Sequence, residues 1–425
     1  MTLAINGGTP VWSGQWPTWP YVSANVGDAL SRIAARQRWA VSGDWNGHEP
    51  VDLELARRFA DYCKTSHCVP VDHGSSALII GLLGLGVQAG DEVIVPGLTW
   101  IATASVVARI GAIPVLVDID PDTLCISADA VRAAITPRTR AVVAVHLYSA
   151  MADMDALRAI CTESDLGLVE DCAQAYGAQW DGQPAGSLGD TGAFSTQQGK
   201  ALTSGEGGLF VTSRDDLREL AEMYRGDGRK YAEQRPRVGR PSLDTFEVVQ
   251  GWNMHLSEFQ AAVLLDGLEA LSAADERRRS AAHRLDSAFS ETDLAEDFEI
   301  IRPHAKNAVR GYYHWPVRLR GTGWDGVDVA EVCDAVSAEL GLFAHVTYPP
   351  LNRHPLYDPR RLPSAVAGGE LDPKQFSLPV ANAEAARTVL LHHSVLLASE
   401  DAVDAIVQAF MKVAHSRHEL GQAAA

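Results

Sequence analysis

The amino-acid sequence predicts an α/β fold in which helices cover a mostly parallel central sheet, followed by a smaller C-terminal α+β domain. Three observations lead to this fold class. From about residue 77 to 262, short β-branched apolar runs alternate with helical patterns. One long helical pattern then follows, and beyond it strand-like and helical runs are mixed. Regular alternation of strands and helices is typical of parallel sheets that are covered on both faces.

Seven short runs are the predicted strands of the large sheet. Most of them are rich in Val, Ile or Leu, which suit buried strands. In chain order they are "HCVPVD", "DEVIVPG", "IPVLVDID", "TRAVVAVHL", "LGLVEDC", "TGAFST" and "GGLFVT".

The predicted helices begin with residues that favour a helix N-terminus. "SSALIIGLLGLG" opens with serines, and "SADAVRAAI" and "DMDALRAICTES" open with Ser or Asp. The long run "SEFQAAVLLDGLEALSAADERRRSAAHRLDSAFS" carries charges on its outer positions and is predicted to link two domains. Beyond it, "YYHWPVRL" is typical of a strand and "DGVDVAEVCDAVSAEL" of a helix.

These elements divide the chain into three parts. Residues 1–25 are predicted to form an N-terminal arm, 26–265 a large cofactor-binding domain, and 266–425 the linking helix with the small domain. A basic stretch, "RGDGRKYAEQRPRVGRPSLDTFEV", lacks apolar periodicity. Loops of this length are usually either disordered or functional.

Composition excludes several classes of partner. The 425 residues are 46% hydrophobic, and a net charge of −18 disfavours binding to nucleic acid or to anionic membranes. No apolar run approaches the roughly 20 residues of a membrane span, and no signal peptide is recognisable, so we expect a cytoplasmic protein. Six scattered cysteines do not indicate a disulfide framework, and Cys63, His67, Cys68 and His73 match no common zinc spacing. No metal site is predicted.

Polar or aromatic residues follow several of the predicted strands. Ligands of open α/β sheets bind at the carboxyl ends of the strands, so these residues are candidates for a site. Gly74 and Ser75 open a helix whose N-terminus would suit a phosphate, although a simple capped turn explains them equally well. Trp100 begins the next helix and fits either core packing or stacking on a ligand ring.

Two further strand-end residues are charged. Asp171 ends a buried apolar strand, where a carboxylate either caps a helix or meets a cation such as a protonated ring nitrogen. Lys200 follows "TGAFST"; a lysine is usually a solvated charge, but an apolar cleft would favour its neutral, nucleophilic amine. A phosphate-type turn, a stacking aromatic, an Asp and a Lys are together the contacts that pyridoxal 5'-phosphate needs.

The chain resembles the sugar and cyclitol aminotransferases of the DegT/DnrJ/EryC1/StrS family, which have the type I fold of pyridoxal-phosphate-dependent transferases. The resemblance covers most of the chain and keeps the family's order and spacing. The segments that carry it are "PVDHGSSAL", "GDEVIVPGLTWIATAS", "PVLVDIDPDTL", "VEDCAQAYGA", "FSTQQGKALTSGEGG" and "GWNMHLSEFQAAV".

The resemblance implies roles for the residues around the cofactor ring. Lys200 would form the Schiff base with the cofactor and later move protons. Asp171 would pair with the pyridinium nitrogen, Gln174 would lie near the phenolic oxygen, and Trp100 would stack on the ring.

The resemblance also implies a phosphate site that two subunits share. Gly74, Ser75 and Ser195 would hold the phosphate from one chain. Asn253 matches an asparagine that the neighbouring subunit donates in this family. A homodimer with shared active sites is therefore expected.

Two departures from the family bear on these roles. Many relatives carry Ser-Gly-Thr where this chain has His73, Gly74 and Ser75, so the role of His73 is open. Some family members are dehydratases with histidine in place of the lysine. This chain retains Lys200, which favours transamination.

Within the family, the chain is similar to the glutamine-dependent aminotransferases of 2-deoxy-scyllo-inosose and scyllo-inosose, which serve aminoglycoside antibiotic biosynthesis. "LAINGGTPV", "WPTWP", "WAVSGDW" and "VHLYSAMADMDAL" carry this likeness. It implies L-glutamine as amino donor and a cyclitol ketone as acceptor. The alternatives are a nucleotide-linked keto sugar as acceptor, or an enzyme like the 3-amino-5-hydroxybenzoate synthases.

Substrate contacts are the least defined part of the prediction. The α-carboxylate of a donor needs a cation, for which Arg225 and Arg229 are candidates, with a solvated basic loop as the alternative. Tyr148 is a candidate for the ketone pocket. His392 and His393 could equally touch substrate or pack between domains.

Overall fold

The structure is a computed structural model that describes residues 2–362 and 371–421. In these ranges the helices are α1 Val26–Arg36, α2 Val51–Cys63, α3 Gly74–Gly84, α4 Ala102–Arg109, α5 Ala128–Ala134, α6 Met154–Ser164, α7 Asp215–Arg225, α8 Glu258–Glu291, α9 Leu294–Asp297, α10 Val329–Leu340, α11 Pro379–Ala385 and α12 Glu400–His415. The strands are β1 His67–Val71, β2 Glu92–Pro96, β3 Ile113–Val117, β4 Thr139–Val145, β5 Gly167–Asp171, β6 Gln179–Trp180, β7 Gln183–Pro184, β8 Thr191–Ser195, β9 Gly208–Thr212, β10 Arg229–Tyr231, β11 Leu243–Thr245, β12 Phe298–Ile300, β13 His314–Leu319, β14 His345–Val346 and β15 Thr388–His392.

The central sheet has seven strands in the order β1-β9-β8-β5-β4-β2-β3. The pairs β2 with β3, β2 with β4, β4 with β5 and β5 with β8 are parallel, whereas β9 runs antiparallel to both of its neighbours. The predicted α/β class with a mostly parallel sheet is therefore confirmed, and all seven predicted strands belong to this sheet.

Apolar side chains from helices pack against this sheet. α3 is almost entirely buried and packs on β8 and β9, which explains why its sequence is apolar all round rather than amphipathic. One core cluster contains residues of α3 and α4, and a second contains residues of α2, α6 and α8. Burial on both faces also accounts for the continuous apolar runs of the parallel strands.

A second sheet forms the C-terminal part of the fold. It has four antiparallel strands in the order β12-β13-β15-β14. Its core cluster includes the aromatic rings of Phe289, Trp315 and Phe410. This sheet matters for function because the ends of β13, β14 and β15 carry histidines toward the site described below.

The long helix α8 connects the two cores, as the sequence predicts. It begins after Ser257 with a capping box, in which Ser257 and Gln260 each satisfy a backbone N–H group of the other. Leu264 belongs to the core cluster of the large sheet, and Leu285 belongs to that of the second sheet. The division into an arm and two domains at residues 25 and 265 stays a prediction.

The basic stretch after α7 contains structure that its sequence did not indicate. β10 and β11 pair as a small antiparallel ribbon. The Nζ atom of Lys230 lies 4.5 Å from the centroid of the Phe246 ring, and the Tyr231 hydroxyl donates to Asp52 at 2.7 Å. Tyr231 and Asp52 are far apart in sequence, so local periodicity could not reveal this contact. In the described part of the chain, no helix has both the length and the apolar character needed to cross a membrane.

Candidate active site

A cavity of about 620 Å³ is lined by residues from both sheets. It brings together most of the residues that the sequence singled out, although they lie in four separate segments. Those that line it are Gly74, Ser75, Trp100, Asp171, Gln174, Ser195 and Lys200. The carboxyl ends of β5 and β8, which pair in parallel, carry Asp171 and Ser195 to the same edge of the sheet.

Lys200 lies in the turn after β8, where its backbone N–H donates to the carbonyl of Gln197 at 2.8 Å. Its Nζ atom lies 4.1 Å from the centroid of the Tyr313 ring. Burial lowers the pKa of the Lys200 ammonium to about 8, and the nearby Asp171 carboxylate opposes this shift. Roughly a tenth of the Lys200 side chains are therefore neutral at pH 7, far more than for a solvated lysine, and the neutral amine is the form that a nucleophile or base requires.

Asp171 ends β5 as a buried carboxylate that faces the cavity. Thr103 donates its hydroxyl to one carboxylate oxygen at 2.8 Å, and the backbone N–H of Ala173 donates to the other at 3.2 Å. Burial raises the pKa of Asp171, whereas these two hydrogen bonds and the Lys200 charge lower it. No arginine or lysine side chain is hydrogen-bonded to Asp171 among the described residues, so its negative charge is available to a cationic ligand atom.

The preceding residue, Glu170, has a different function. It is fully buried, and its oxygens accept hydrogen bonds from the backbone N–H groups of Gly186, Leu188 and Gly189 at 2.7–3.0 Å and from His146 at 2.9 Å. Successive side chains of a strand point to opposite faces. Glu170 therefore anchors the loop that contains Gly186, Leu188 and Gly189, whereas Asp171 lines the cavity.

Gln174 is held in place by two aromatic residues. Its Oε1 accepts a hydrogen bond from the backbone N–H of Tyr148 at 2.8 Å, and its Nε2 donates to the Tyr348 hydroxyl at 3.3 Å. Tyr148 has a φ of 58°, in the left-handed region that a bulky residue rarely adopts. Its carbonyl also accepts from the backbone N–H of Tyr313 at 2.8 Å. Tyr148 thus lies behind the cavity, fully buried, and links Gln174 to the ring that faces Lys200.

The predicted phosphate contacts lie close together. α3 begins at Gly74, and its N-cap residue, His73, forms no side-chain cap with the first turn. A Cβ atom on Gly74 would lie only 2.8 Å from the Cβ of Ser195. Glycine is required there because the backbone passes so near the end of β8. His73 pairs with Glu206 at 3.3 Å at the same end of the cavity.

Trp100 lines the cavity with nearly half of its surface exposed. Its ring contacts Tyr348 and His354 at centroid distances of 5.6 and 6.2 Å. An exposed indole at this position is not explained by core packing, and it presents a flat apolar surface to a ligand ring.

Three other predicted residues lie outside the cavity of their own chain. Arg225 is buried, and its guanidinium donates to Asp52 at 3.3 Å and to the carbonyl of Pro70 at 3.0 Å.

Arg229 donates to the Gly226 carbonyl at 3.1 Å and to Asp227 at 3.1 Å. Asn253 is exposed and forms a backbone bridge with Gly226. Arg225 therefore has a structural ion pair, whereas Arg229 and Asn253 share one surface stretch.

The second sheet supplies cavity residues that the sequence reasoning missed. They are Tyr313, His314, His345 and Tyr348. The sequence analysis predicts only a strand at "YYHWPVRL". The two tyrosines and the histidine at the beginning of this run are the local feature that could have indicated cavity residues. His392 lines the cavity, whereas His393 is fully buried against Trp19 and the Gly199 carbonyl.

The donor set fits pyridoxal phosphate. A buried carboxylate without a basic partner suits a protonated ring nitrogen, and a free helix N-terminus with a tight glycine suits a phosphate. A lysine whose pKa is lowered to about 8 suits an aldehyde. Trp100 adds a face for the aromatic ring.

Comparison with known proteins identifies the family of the chain. The model of the DegT/DnrJ/EryC1/StrS aminotransferase family matches residues 29–411 of the chain. The L-glutamine:2-deoxy-scyllo-inosose aminotransferase of Micromonospora echinospora is 44% identical over 421 residues, which cover 98% of this chain and 99% of that protein. The L-glutamine:scyllo-inosose aminotransferase of Streptomyces griseus is 42% identical over 425 residues, covering 99% of each chain.

A solved structure shows the same fold. The crystal structure of 3-amino-5-hydroxybenzoic acid synthase superposes with a TM-score of 0.81 at 30% identity, covering 95% of this chain and 99% of that one. The resemblance that the sequence motifs indicated is therefore confirmed at the level of the family and the fold.

Proposed function

Because the chain belongs to the DegT/DnrJ/EryC1/StrS aminotransferase family, we propose that it transfers the amino group of L-glutamine to a cyclitol ketone. The ketone is 2-deoxy-scyllo-inosose or scyllo-inosose, and the reaction belongs to aminoglycoside antibiotic biosynthesis. The observation that carries the enzyme class is the pairing of Lys200, with its lowered pKa, and buried Asp171 in one cavity. The full-length similarity to relatives with this activity supports the substrates.

The cofactor in this proposal is pyridoxal 5'-phosphate. Lys200 would attach to its aldehyde, Asp171 would face its ring nitrogen, Trp100 would cover its ring, and Gln174 would lie near its phenolic oxygen. Gly74, Ser75 and Ser195 would hold the phosphate. When bound, the cofactor supplies an electron-poor ring that accepts the electrons released when a proton leaves the donor's α-carbon.

Lys200 contributes a proton-carrying amine at Nζ. With a pKa of about 8, it can accept a proton near neutral pH and release it again without a large energetic penalty. The Tyr313 ring lies against Nζ and attracts its protonated form, which keeps the amine close to the cavity after it has accepted a proton. A positioned acid or base of this kind commonly contributes about 10²–10⁴-fold in rate.

Asp171 contributes a fixed negative charge. The hydrogen bonds from Thr103 and Ala173 hold both carboxylate oxygens in place, so the side chain needs no rearrangement when it meets a cation. Burial strengthens the interaction because little water competes for the charge.

The second chain of a homodimer completes the site in this proposal. Asn253 lies on the exposed surface of its own chain, next to Gly226. Arg229 bonds the carbonyl of the same glycine, so both side chains belong to one surface stretch. If Asn253 reaches the cofactor phosphate of the partner, Arg229 is carried toward the same cavity. This arrangement would supply the cation that a donor carboxylate needs.

Acceptor choice is tested directly. The purified protein, loaded with pyridoxal phosphate, is incubated with L-glutamine and one of three ketones: 2-deoxy-scyllo-inosose, scyllo-inosose or a nucleotide-linked keto sugar. Mass spectrometry should detect an amine from a cyclitol ketone. An amine from the nucleotide-linked sugar alone would replace the cyclitol proposal with the first alternative. Formation of 3-amino-5-hydroxybenzoate from its cyclic precursor would favour the second. A cytoplasmic location stays a prediction from the sequence.

A further inference from the structure

Three histidines from neighbouring strands form one wall of the cavity, which we call the histidine wall: His314, His345 and His392. His314 and His392 are paired across β13 and β15, and His345 lies on β14 at the other side of β15. The ring centroids of His314 and His345 are 5.4 Å apart, and those of His314 and His392 are 5.7 Å apart. The wall belongs to the second sheet, whereas the predicted cofactor contacts come from the large sheet and its connections.

Both ring nitrogens of His392 already have hydrogen-bond partners within the protein. The Nδ1 atom of His392 accepts a hydrogen bond from the backbone N–H of Ser394 at 3.4 Å. Its Nε2 therefore carries the proton and donates to the carbonyl of Gly199 at 3.1 Å. His392 supports the turn that precedes Lys200 and has no nitrogen left for a ligand.

The other two imidazoles have spare hydrogen-bonding capacity. The Nδ1 atom of His314 is buried and has no hydrogen-bond partner among the described residues. The His345 side chain has ring contacts with His314 and Phe343 but no hydrogen bond to any described residue. Buried polar atoms are normally paired, so unpaired ring nitrogens beside a cavity call for a ligand or water.

The wall carries no charge near neutral pH. Burial lowers the pKa of His314 well below its usual range, and His392, His345 and Lys200 add to this effect. Burial also lowers the pKa of His345, and that of His392 falls to about 4. A neutral imidazole offers one donor and one acceptor, the same pair that a hydroxyl group offers.

The described charged residues that this chain itself places in the cavity include no free cation for an anionic acceptor. Among the described residues that line it, no arginine is present, and the lysine is Lys200 itself. The carboxylates are Asp171 and Glu206, of which Glu206 pairs with His73. Phosphate groups are usually recognised by arginine or lysine clusters. The wall instead suits a ligand whose polar groups are uncharged.

We propose that His314 and His345 form the acceptor subsite and select an uncharged, polyhydroxylated ring ketone by hydrogen bonds to its ring hydroxyls. This inference rests on the proposed aminotransferase function, and it adds the residues that recognise the acceptor. A polyhydroxylated ring presents several hydroxyls to the two histidines, whereas the side chain of L-glutamine presents a single carboxamide, so we expect their larger contribution in the acceptor half of the reaction.

The test separates the two halves of the reaction. Holoenzyme is first mixed with L-glutamine alone, and the change in its visible absorption spectrum gives the rate of the donor half. The aminated enzyme is then mixed with 2-deoxy-scyllo-inosose, and return of the original spectrum gives kcat/KM for the acceptor half. Failure of the first step in the wild-type protein would contradict the proposed function itself, before the histidines are tested.

The variants are H314F and H345F, which keep an aromatic ring of similar size and remove the nitrogens. Each is expected to lower kcat/KM for the acceptor half by about tenfold, the usual effect of one lost hydrogen bond in a site. The donor half should change less than the acceptor half does. H345Q, whose amide restores a donor and an acceptor, should recover part of the loss. H304F is the matched control, since His304 stacks on Trp180 away from the cavity.

A ketone without hydroxyls distinguishes recognition from a structural role. With cyclohexanone as acceptor, H314F and H345F should lose less activity than they lose with the cyclitol ketone, because cyclohexanone has no hydroxyl whose contact could be lost. Equal losses with cyclohexanone and with the cyclitol ketone would overturn the proposal and make the histidines structural. An unchanged acceptor half in both variants would also overturn it.

Discussion

The Nζ atom of Lys200 lies 4.1 Å from the centroid of the Tyr313 ring. Lys200 follows a strand of the large sheet and Tyr313 precedes a strand of the second sheet, and both residues line the cavity. Tyr313 is fixed in turn by the carbonyl of Tyr148, which accepts from its backbone N–H at 2.8 Å. The position of the reactive amine therefore depends on the second sheet as well as on the turn that carries it.

Lys200 is expected to be the residue that attaches to the cofactor. Reduction of the holoenzyme with borohydride, followed by peptide mass spectrometry, should find the cofactor mass on the peptide that contains Lys200. K200A should lose this label and at least about 10³-fold of its activity, because general acid–base work by an amine is lost with the attachment. A reduced label on the same peptide of K200A would contradict the assignment.

The pH dependence of cofactor attachment follows from the pKa of Lys200. Burial lowers this pKa from 10.5 to about 8, so the neutral amine predominates above pH 8 and the ammonium below it. The rate at which the apoprotein takes up pyridoxal phosphate should rise with pH and level off above pH 8, falling about tenfold for each pH unit below. Stopped-flow absorbance measures the rate, and K200A should lack this phase. A midpoint near 10.5 would show that the amine is not perturbed.

Asp171 is expected to act through its charge and not only through its shape. D171N keeps nearly the same volume but removes the negative charge that faces the cavity. Loss of one partner of a buried charge pair costs about 2–5 kcal/mol, so kcat should fall roughly 30-fold or more. D155N is a suitable control, because Asp155 is an exposed carboxylate on α6 that pairs with Lys306. The measurement is the steady-state kcat of both variants. Near-normal kcat in D171N would show that the negative charge of Asp171 is not needed for the reaction.

Gly74 is expected to be essential for cofactor binding. In G74A the new methyl would lie 2.8 Å from the Cβ of Ser195, so the start of α3 must move away from the end of β8. The Kd for pyridoxal phosphate should rise at least about tenfold, because the backbone N–H groups proposed to bind the phosphate would be displaced. Gly84, at the other end of α3, provides the control, since a Cβ there meets only the flexible side chain of Leu217 at 3.3 Å. Titration of both apoproteins should show the loss in G74A alone.

Hybrid dimers test whether two chains share one site. K200A and N253A chains with different affinity tags are coexpressed, and the mixed dimer is purified through both tags. If Asn253 serves the partner's cavity, one site of the mixed dimer is intact and about half of the wild-type activity per dimer returns. Dimers of either variant alone should be much less active. A mixed dimer as inactive as its parents would place Asn253 outside the partner's site.

Much of the fold and half of the site could be predicted from the local sequence. The seven strands and the helices between them follow from apolar runs and N-terminal Ser or Asp, because buried parallel strands and helix starts have local signatures. A related reason makes four site residues predictable, since they follow predicted strands: Gly74, Trp100, Asp171 and Lys200. Residues that directly follow parallel strands must meet at one edge of the sheet.

The remainder of the site depends on contacts that no local pattern encodes. Tyr313, His314 and His345 line the cavity because the second sheet lies beside the end of the first. The sequence of a short strand does not show which distant segment it will contact. Arg225 illustrates the reverse case, since its partner Asp52 lies on another helix and its role as a buried ion pair was invisible in a basic stretch.

The sequence by itself determined the family, the parallel sheet and the lysine proposed to attach to the cofactor, because each has a signature within a few residues. The tertiary structure decided which of two adjacent acids faces the cavity, how far burial lowers the pKa of Lys200, and which imidazoles line the cavity. These properties arise from desolvation and from the packing of two sheets, and both exist only once distant segments have come together.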